Sequence, residues 1–498
     1  MRLVELIAGL PTDAVDGDPG VEIADLAYDS REAGPGTLFF CVRGERTDGH
    51  EFASAAVERG AAALVAERAL DLPVPQVVVA DARAAMAPLA VRFWGDPSAE
   101  LALAGITGTN GKTTTAFLLR GILEDAGRPT GLLGTVKRIV GGVEEEVERT
   151  TPEAIDLQRT FRRMRDGGDA ACAMEVSSHA LAYGRADGIH FAVKVFTNLT
   201  QDHLDFHSDM EDYFLAKRRL FFAGGDSSPG TAVVNVDDPY GARLAAELRE
   251  TEAPHTTFSA EGGEASFRAV DVEFDAAGAR FRCVSPAGAA PVEMALPGHF
   301  NVANALAAIA SADALGVPAA DACGSLSGAA RVPGRFEPVD EGQDFAVLVD
   351  YAHTPDSLEN VLRAARIVTA GRVICVFGCG GDRDREKRPL MGRIGAELSD
   401  LAVVTSDNPR SEDPAAIIAE ILAGAGEDGV EVEPDRRAAI AIALEAADAG
   451  DTVVIAGKGH EQGQEFEDGR KVPFDDREVA REELRSLRSR SATPGTAA

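Results

Sequence analysis

The sequence predicts an α/β protein whose parallel sheets are covered by helices. Short apolar segments alternate with stretches of helical periodicity along most of the chain, which is the pattern of β–α units. Most apolar segments also end in a motif rich in glycine, charge or histidine, and open parallel sheets bind ligands at the carboxyl ends of their strands. The length of 498 residues suits about three domains.

Composition argues against several classes of protein. The formal net charge is −32, and such an acidic surface disfavours nonspecific binding to nucleic acid or to anionic membranes. No apolar run reaches the ~18–20 residues of a membrane span, and acidic residues interrupt the N-terminal segment, so no signal-peptide core is present. Six scattered cysteines indicate buried thiols rather than disulfides or a zinc site. We therefore expect a cytoplasmic protein.

Shifts in pattern along the chain predict the domain boundaries. Residues 1–96 have the short alternating segments of a small α/β domain. A strand–loop–helix pattern begins at the segment LALAGITG and opens a second domain, 97–330. Four further strand candidates, each ending in a polar motif, form a third domain, 331–490. The low-complexity tail, 491–498, is expected to be disordered.

The stretch GITGTNGKTTT (105–115) predicts a phosphate-binding loop, although it departs from the usual G-x-x-x-x-G-K-[ST] pattern. The residue five positions before Gly111 is Ile106, not glycine. Loop N–H groups and the helix N-terminus can face phosphate oxygens, Lys112 can reach the β/γ-phosphates, and Thr113 can ligate Mg²⁺. A glycine-rich turn without a ligand is the weaker alternative. The predicted nucleotide-binding loop residues are Gly108, Thr109, Asn110, Gly111, Lys112, Thr113 and Thr114.

Two further residues are candidate metal ligands. Glu175 ends the apolar segment AACAMEV, and His203 lies in the segment TNLTQDHLDFH. Each has an ordinary alternative explanation, as a surface carboxylate and as a loop histidine. Beside a phosphate loop in a parallel sheet, however, an acid at a strand end is well placed for Mg²⁺. With Glu175 ending a neighbouring strand candidate, His203 becomes a candidate for a second metal site.

Five motifs, in their order and spacing, resemble those of the Mur ligase family, which comprises ATP-dependent amide-forming ligases of peptidoglycan precursor synthesis. They are TGTNGKTTT, MEVSSHAL, TNLTQDHLDFH, GHFNVANALAA and VPGRFEPV. The resemblance covers residues 25 to 480, approximately. It implies an N-terminal domain for a UDP-linked substrate, a central P-loop ATPase with a parallel sheet, and a C-terminal Rossmann-like domain for an amino acid. The unusual phosphate loop matches the family's T-G-T-N-G-K-T.

The N-terminal stretch YDSREAGPGTLFFCVRGERTDGH most resembles family members that add the third residue of the stem peptide. This resemblance implies the substrate UDP-N-acetylmuramoyl-L-alanyl-D-glutamate. The residues it assigns to that substrate are Ser30, Glu45, Arg46, Thr47, Thr150, Thr151, Ser177 and Arg185. Arg149 stands where we expect a smaller polar residue in some relatives.

Lys217 lies in the helical segment MEDYFLAKRRLFF and, taken alone, is typical of a solvated lysine on an amphipathic helix. The family match at A-K-x-x-L-F implies instead a carbamylated lysine (N6-carboxylysine), whose carboxylate can ligate a second Mg²⁺. The resemblance thus implies two Mg²⁺ ions with ligands from Thr113, Glu175, His203 and the Lys217 carbamate.

More distant motifs bear on ATP. Asn301 and Asn304, in GHFNVANALAA, could simply cap a helix, whereas the resemblance places them at the adenine. It also implies that Arg335, Asp350 and His353 reach ATP from the third domain, which requires domain closure. The catalytic residues in this interpretation are Lys112, Glu175, His203, Lys217 and His353.

Three loops of the third domain, CGGDRD, SDNPRSED and GKGHEQ, bear on the amine substrate. Their combination of arginines with an acid suits a far end that carries both carboxylate and ammonium, since arginine binds carboxylate in a fork geometry and Glu461 can bind the ammonium. meso-Diaminopimelate has that structure and L-lysine does not, and D-N-P-R resembles the signature of the diaminopimelate-using members. The predicted site comprises Arg383, Asp407, Asn408, Pro409, Arg410, Gly457 and Glu461.

The predicted reaction is ATP-dependent phosphorylation of the D-glutamate carboxylate, followed by attack of the diaminopimelate amine on the acyl phosphate. His353 or Asp350 could help to remove the amine proton. The alternatives are the same ligation with L-lysine, a folate-polyglutamate ligase on the same scaffold, and a P-loop kinase or other ATPase that forms no amide. We expect a monomer with no nucleic-acid partner and no membrane insertion.

Overall fold

The computed structural model describes residues 1–44, 47–147, 149–222, 230–275, 278–329, 332–426 and 429–492. Glu45, Arg46 and the end of the predicted tail, 493–498, therefore lie outside the described residues. The chain forms two compact units, each assembled from separate stretches. The first comprises Met1–Thr107, Gly127–Lys194 and Ala216–Thr231, and the second Gly108–Ala126, Val195–Leu215 and Ala232–Ala498.

Helices and strands alternate along both units. The α-helices are α1 (Leu3–Leu6), α2 (Ala53–Glu58), α3 (Ala82–Trp94), α4 (Lys112–Asp125), α5 (Ala154–Asp166), α6 (Ser178–Ala182), α7 (Met210–Phe222), α8 (Pro239–Glu250), α9 (His299–Ala314), α10 (Ala319–Ser325), α11 (Pro355–Val368), α12 (Lys387–Leu398), α13 (Pro414–Ala425), α14 (Arg436–Ala446) and α15 (Asp476–Ala492).

The strands of the N-terminal and central parts are β1 (Ala14–Asp16), β2 (Asp25–Ala27), β3 (Thr37–Phe40), β4 (Ala63–Ala66), β5 (Gln76–Val78), β6 (Ala102–Thr107), β7 (Thr130–Leu133), β8 (Arg138–Val140), β9 (Val143–Glu145), β10 (Ala171–Glu175), β11 (Phe191–Phe196), β12 (Thr231–Asn235), β13 (His255–Ser259), β14 (Phe267–Asp275), β15 (Gly278–Ser285) and β16 (Gly288–Met294). Those of the C-terminal part are β17 (Glu337–Pro338), β18 (Ala346–Asp350), β19 (Val373–Phe377), β20 (Leu401–Val404), β21 (Val430–Val432), β22 (Thr452–Ala456), β23 (Gly463–Glu465) and β24 (Lys471–Pro473).

The first unit begins with a small sheet in the order β1-β5-β4-β3-β2. Strands β2 to β5 pair in parallel and β1 pairs antiparallel at one edge. All four residues of β3 and of β4 are buried, as expected of parallel strands that are covered on both faces. Helix α3 is capped by the Asp81 carboxylate, which accepts a hydrogen bond from the Ala84 N–H at 2.9 Å, and it ends at Gly95 with φ 75°.

The same unit contains the strands that carry the predicted metal-binding acid. Strand β10 lies between β6 and β7 and pairs in parallel with both. Strands β8 and β9 continue from β7 as antiparallel hairpins. Helix α3 packs against α5, and buried residues of both helices share one apolar cluster with the N-terminal sheet. One face of the N-terminal sheet therefore shares its core with α5, while a second apolar cluster around Phe39 and Leu64 lies in the same sheet.

In the described part of the second unit, β23 and β24 form a small antiparallel sheet, and two larger groups of strands accompany it. Strands β12, β13 and β14 pair in parallel, and β15 and β16 follow as antiparallel neighbours. The C-terminal sheet has the order β17-β18-β22-β19-β20-β21, parallel except for β17. Two apolar clusters lie on its two faces, and every residue of β19 and β22 is buried. The loops after β18, β19, β20 and β22 therefore meet at one edge of the sheet.

A buried ion pair fastens the last helix to this sheet. The guanidinium of Arg436, on α14, donates from Nε and Nη2 to the Asp476 carboxylate at 2.8 and 2.7 Å, and both side chains are fully buried. Arg436 Nη2 also donates to the carbonyl oxygen of Ala456, the last residue of β22, at 2.9 Å. Helix α15, which begins at Asp476, is thus held at the edge where the strands end.

Two predictions from composition can be compared with the structure. All six cysteines are buried and free, which confirms the predicted reduced thiols. In the described part of the chain, no helix has the length and apolar character that crossing a bilayer would need.

Candidate active site

The phosphate loop follows β6 and leads directly into α4, which confirms the predicted strand–loop–helix. Gly111 has φ 86° and forms the N-terminal boundary of α4, which begins at Lys112. The Lys112 ammonium donates to the carbonyl oxygens of Gly108 and Thr109 at 2.9 and 2.8 Å. The lysine therefore folds back over a loop whose helix end favours anions, the arrangement needed to hold a polyphosphate.

Two buried asparagines of α9 support this loop. A Cβ atom added to Gly111 would overlap the Asn304 Oδ1 atom. Asn304 also donates to Asn301 Oδ1 at 3.3 Å, and Asn301 donates to the Pro297 carbonyl oxygen at 2.8 Å. The N-cap residue of α9 is Gly298, so the simple capping alternative does not account for Asn304. Asn304 shapes the phosphate loop.

The segment after β11 also holds the loop. The Asn110 N–H donates to Asn198 Oδ1 at 2.8 Å, and the Thr197 hydroxyl donates to the Asn110 carbonyl oxygen at 2.6 Å. A Cβ atom on Gly108 would overlap the Thr197 hydroxyl. Glycine at 108 is therefore required by close approach of Thr197 as well as by its φ of 153°.

Residues of the predicted third domain reach the phosphate loop within the second unit. Arg335 Nη2 donates to the Thr113 hydroxyl at 3.2 Å, and the guanidinium lies 4.5 Å from the centre of the Tyr351 ring. The Asn110 amide donates to Asp356 Oδ2, on the first turn of α11, at 2.7 Å. These contacts place one arginine from the C-terminal part at the start of α4, where the terminal phosphates of a nucleotide would lie.

Asp350 and His353 follow β18 but differ in what they can do. The Asp350 carboxylate accepts a hydrogen bond from the Phe336 N–H at 2.7 Å, and burial raises the pKa of Asp350 to about 6 despite the nearby Arg335. Burial, assisted by Lys387, lowers the pKa of His353 to about 4, so its imidazole is neutral at pH 7. The carboxylate positions the arginine loop, whereas the neutral imidazole can accept a proton.

Asp202 organises a cluster that sequence reasoning did not single out. Its carboxylate lies 3.3 Å from His203 Nε2, 3.6 Å from Lys387 Nζ and 3.9 Å from His353 Nε2. Burial acts to raise the pKa of Asp202, but these three neighbours outweigh it and hold the pKa below its usual range. His203 has φ 56°, a strained backbone for this residue type, within the non-helical segment 197–209.

Glu175 occupies the predicted position at the end of β10 and is 1% exposed, so the alternative of a surface carboxylate is wrong. Its oxygens accept hydrogen bonds from the Thr135 N–H at 2.8 Å and from the Thr135 hydroxyl at 3.1 Å. Lys217, on α7, is also 1% exposed, which excludes the alternative of a solvated lysine. Both residues lie in the first unit and His203 in the second, so their pairing into metal sites stays a prediction.

Among the substrate residues predicted after β9, Arg185 contacts a buried carboxylate, that of Glu153. It forms ion pairs with Arg83 at 3.0 Å, Arg149 at 3.2 Å and Arg185 at 3.0 Å. One carboxylate facing three guanidinium groups leaves an excess of positive charge at this position. Such a cluster suits an anionic substrate in a protein whose overall charge is −32.

Hydroxyl groups adjoin the arginine cluster. The Thr151 hydroxyl donates to the Glu175 carbonyl oxygen at 2.9 Å and accepts from the Ser177 N–H at 3.1 Å. The Thr150 hydroxyl lies 3.0 Å from that of Thr135. Ser30 lies in the turn after β2, and the carbonyl of Thr47 accepts a hydrogen bond from the Gly44 N–H at 2.8 Å. The structure thus brings Thr150, Thr151, Ser177 and Arg185 together, and it holds Ser30 and Thr47 on loops of the N-terminal sheet.

The predicted amino-acid site lies at the ends of β19, β20 and β22. Gly380 separates Arg383 from Arg410, since a Cβ atom there would lie 3.9 Å from Arg383 Cγ and 3.0 Å from Arg410 Nη1. Arg410, which has φ 50°, donates to Glu465 Oε2 at 3.0 Å and to the Gly381 carbonyl at 2.8 Å. Exposed Arg383 donates to the Asp382 carbonyl at 2.8 Å and has no carboxylate partner among the described residues.

Acidic residues lie on the neighbouring loops after β20 and β22. Asn408 Nδ2 donates to Glu461 Oε2 at 2.8 Å. Gly457 has φ 120°, and a Cβ atom on it would lie 2.5 Å from Asp407 Oδ2. Burial acts to raise the pKa of Asp407, but Lys458 and Arg436 outweigh it, so the pKa lies below its usual range. The site therefore combines cationic and anionic groups, as predicted for an amine that itself carries both charges.

Comparison with known proteins identifies the family. Residues 22–94 match the model of the Mur ligase family catalytic domain, 106–312 that of the Mur ligase middle domain, and 334–459 that of the Mur ligase glutamate ligase domain.

The chain belongs to the Mur ligase family.

Relatives of this Mur ligase match along its whole length. The UDP-N-acetylmuramoyl-L-alanyl-D-glutamate–2,6-diaminopimelate ligase of Gloeobacter violaceus is 50% identical over 498 residues, covering 98% of this chain and 99% of that protein. A solved structure of an enzyme with the same name is 32% identical, with a TM-score of 0.69 over 98% of this chain and 99% of that one. MurF ligase from Thermotoga maritima in complex with ADP shares the fold, with 19% identity, coverage of 93% and 96%, and a TM-score of 0.63.

The predicted three-domain α/β fold is therefore confirmed for this Mur ligase. The matched ranges fall within the predicted domains, while the boundaries at 96/97 and 330/331 stay predictions. The family models and the named ligase relatives confirm the prediction of an ATP-dependent amide-forming ligase.

Several residues of the Mur ligase site were missed by sequence reasoning. They are Arg83, Glu153, Asp202, Lys387 and Lys458. Lys458 could have been recognised from the sequence as a candidate site residue, because it lies between two glycines at the end of a predicted strand. The other four have no local signature, because distant segments bring them to their partners.

Proposed function

We propose that this Mur ligase joins meso-2,6-diaminopimelate to the D-glutamate carboxylate of UDP-N-acetylmuramoyl-L-alanyl-D-glutamate at the expense of ATP. The observation that carries the choice of amine is the presence of opposite charges on the loops at one sheet edge, namely Arg383 and Arg410 together with Asp407 and Glu461. The names of full-length relatives at up to 50% identity support the same reaction.

In the proposed mechanism, the D-glutamate carboxylate attacks the γ-phosphorus of ATP, and ADP leaves from an acyl phosphate. The diaminopimelate amine then attacks the acyl carbon, and the tetrahedral intermediate collapses to the amide and inorganic phosphate. Lys112 and the N-terminus of α4 stabilise the charge on the transferred phosphoryl group, and Arg335 reaches the same position through Thr113. The arginine cluster around Glu153 holds the anionic UDP-linked substrate.

We assign acceptance of the amine proton to His353 from geometry, since burial lowers its pKa to about 4 and makes it a weaker base than Asp350, whose pKa is about 6. The Asp350 carboxylate is enclosed and already accepts a hydrogen bond from the Phe336 N–H at 2.7 Å. His353 Nδ1 lies 2.8 Å from the Tyr351 carbonyl oxygen, so it carries the hydrogen and Nε2 keeps its lone pair. We assign proton acceptance to Nε2 of His353.

The donor set proposed for two Mg²⁺ ions fits hard cations. Thr113, Glu175 and a Lys217 carbamate offer oxygen atoms and His203 offers an imidazole nitrogen. Within the described residues, no group of three or more His, Cys, Asp or Glu side chains could hold a metal by itself. In this proposal, the Lys217 carbamate and the phosphate oxygens would supply the further donors. Bound Mg²⁺ would neutralise part of the negative charge on the phosphates.

The Lys217→Ala variant is expected to lose activity and to regain part of it when short carboxylates are added. Full activity of this variant without added carboxylates would exclude the carbamate.

We also propose a cytoplasmic monomer that neither inserts into a membrane nor binds nucleic acid. The support is the net charge of −32 and the predicted use of ATP. The molar mass of the purified chain at micromolar concentration, measured by light scattering, tests whether it is a monomer. The mass of a dimer would contradict this proposal.

The decisive experiment measures ATP-dependent phosphate release with the UDP-linked dipeptide substrate and each candidate amine. We expect release with meso-diaminopimelate and at least about 100-fold lower kcat/KM with L-lysine, because lysine leaves the arginines without a carboxylate. Equal turnover with both amines would contradict the proposed specificity for meso-diaminopimelate. Phosphate release without any amine would indicate an ATPase that forms no amide. The mass of the nucleotide product verifies that an amide has formed.

A further inference from the structure

Lys458 is a fully buried lysine at the edge of the proposed amino-acid site. It follows β22 and lies between Gly457 and Gly459. Its ammonium donates to Asn408 Oδ1 at 2.9 Å and to Glu461 Oε2 at 2.8 Å, and its side chain has no exposed surface. A buried ammonium is costly unless hydrogen-bonded acceptors compensate it, so this position needs a reason beyond packing.

The contacts of Lys458 determine which part of Glu461 remains available. Glu461 Oε2 accepts hydrogen bonds from both Lys458 and the Asn408 amide. Among the described residues, nothing donates a hydrogen bond to Oε1, and the Glu461 side chain is 30% exposed. One carboxylate oxygen is therefore fixed inside the protein and the other is directed to where a ligand can reach it.

Lys458 also orients Asn408. The Asn408 Oδ1 atom accepts from Lys458 and from the Glu465 N–H at 3.0 Å, which requires the amide nitrogen to point toward Glu461. Asn408 adjoins Asp407, and Glu465 pairs with Arg410. A single ammonium thus links the loop after β20 with the loop after β22.

The charge of the group follows from the same contacts. Asp407 and Glu461 contribute two negative charges and Lys458 one positive charge. The neighbouring Arg436 and Arg410 are balanced by their ion pairs with Asp476 and Glu465, so the group retains one uncompensated negative charge. One negative charge matches one ammonium of a ligand. Without Lys458, two carboxylates would face the ligand, which would favour a purely cationic end over one that also carries a carboxylate.

We propose that Lys458 is a positioning and specificity residue that holds Glu461 and Asn408 for the far ammonium of the amine substrate and sets the charge that this ammonium meets. This inference rests on the proposed function, because it assumes that the amine binds at these loops. Lys458 acts through Glu461 and does not touch the reacting carboxylate or the phosphate.

The test compares steady-state kinetics of Lys458→Met with those of the unmodified enzyme. We expect the KM for meso-diaminopimelate to rise at least about tenfold, because a buried charge-assisted contact is removed, while kcat and the KM for ATP change less than about threefold. The ratio of kcat/KM for meso-diaminopimelate to that for L-lysine should fall. Lys471→Met, at an exposed lysine on β24, is the matched control and should leave all constants unchanged.

A double-mutant cycle separates positioning from general support of the fold. If Lys458 acts through Glu461, then Lys458→Met combined with Glu461→Gln should raise the KM for the amine no more than the worse single variant. Additive losses, or a rise in the KM for ATP equal to that for the amine, would overturn the proposal. Should Lys458→Met fail to fold, Lys458→Gln keeps a hydrogen-bond donor without the charge and must show the same shift in amine preference; an unchanged preference overturns the proposal.

The outcomes also distinguish this inference from the proposed function. An unmodified enzyme that releases no phosphate with meso-diaminopimelate would contradict the proposed function. If the unmodified enzyme turns over normally and Lys458→Met behaves like Lys471→Met, the role proposed for Lys458 is contradicted and the proposed function is not.

Discussion

Gly111 shows how one residue without a side chain controls the nucleotide site. It has φ 86° at the start of α4, and a Cβ atom would overlap Asn304 Oδ1. We expect Gly111→Ala to displace the asparagine or open the loop, lowering kcat/KM for ATP by about 100-fold or more, since misplacement of about 1 Å is that costly. Steady-state kinetics with varied ATP measure this effect.

The matched control for this prediction is Gly121→Ala on the same helix. Gly121 lies within α4, and an added Cβ would meet nothing within 4 Å. Alanine in a helix interior is favoured over glycine by about 1 kcal/mol, so this variant should be slightly more stable and fully active. Equal activity of the two variants would show that the contact with Asn304 does not matter.

Sequence reasoning succeeded at residues whose role is local and failed where partners are distant. The phosphate loop was predictable because glycine, lysine and threonine act within a few positions of one another. The burial of Lys217 could not be derived from its helix, whose pattern also suits a solvated lysine. Asp202 stands beside the predicted His203, yet its partner Lys387 comes from a segment far along the chain.

At the scale of elements, helices α12 and α13 are joined by an ion-pair cluster around Arg388. This fully buried side chain of α12 pairs with Glu412 at 2.7 Å and with Glu420, on α13, at 2.8 Å. It also donates to the Gly380 carbonyl oxygen at 3.1 Å. Arg388 thus holds the helices and the loop that carries Arg383 in one arrangement.

The cluster makes stability depend on pH. Hydrogen bonds from Arg388 lower the pKa of Glu412 to about 2, below the ordinary glutamate value of 4.5. The stabilisation is therefore complete above pH 4.5 and is lost as the pH falls toward 2. We expect Glu412→Gln to remove about 1–2 kcal/mol of this pH-dependent stability after allowance for solvent screening. Urea unfolding between pH 3 and 7 measures it.

Glu478→Gln is the control variant for the predicted effect of Glu412 on stability at low pH. The Glu478 side chain is 63% exposed, and its ion pair with Arg481 spans one helical turn. Such a surface pair contributes about 0–1 kcal/mol, so the slope of stability against pH should match that of the unmodified protein. A Glu412→Gln variant with an unchanged slope would contradict the role assigned to the cluster.

Some strands could be predicted from the sequence and others could not. Strands β18, β19, β20 and β22 have the apolar runs of buried parallel strands and were identified from the sequence. Strands β14, β15 and β16 were not, because their antiparallel pairing leaves alternate residues exposed and places charged and small residues within the strands. The segment 197–209, which contains His203, is irregular until α7 begins at Met210.

At the scale of the whole molecule, the strong negative charge must oppose folding through self-repulsion. The chain carries 81 acidic and 49 basic residues. The Debye screening length is about 10 Å at 0.1 M salt and about 3 Å at 1 M. Added NaCl should therefore weaken the repulsion between acidic residues and stabilise the fold. We expect the thermal midpoint to rise by roughly 5 °C between 0.05 and 1 M NaCl at pH 7.5.

The isoelectric point supplies the control for the salt prediction. At pH 4.7 the net charge is close to zero, so the same salt series should change the midpoint little. A similar rise at both pH values would indicate a specific ion effect rather than screening of the net charge.

The buried pair of Arg436 and Asp476 has a consequence for shortened forms of the chain. Asp476 opens the last helix, and among the described residues it is the ion-pair partner of Arg436. Proteolysis or an early stop codon ahead of Asp476 would remove the carboxylate that accepts hydrogen bonds from Arg436 Nε and Nη2. That guanidinium is enclosed beside Ala456, directly before the loop that carries Gly457 and Lys458. Loss of the last helix would therefore inactivate amine binding, although no residue of that helix belongs to the proposed site.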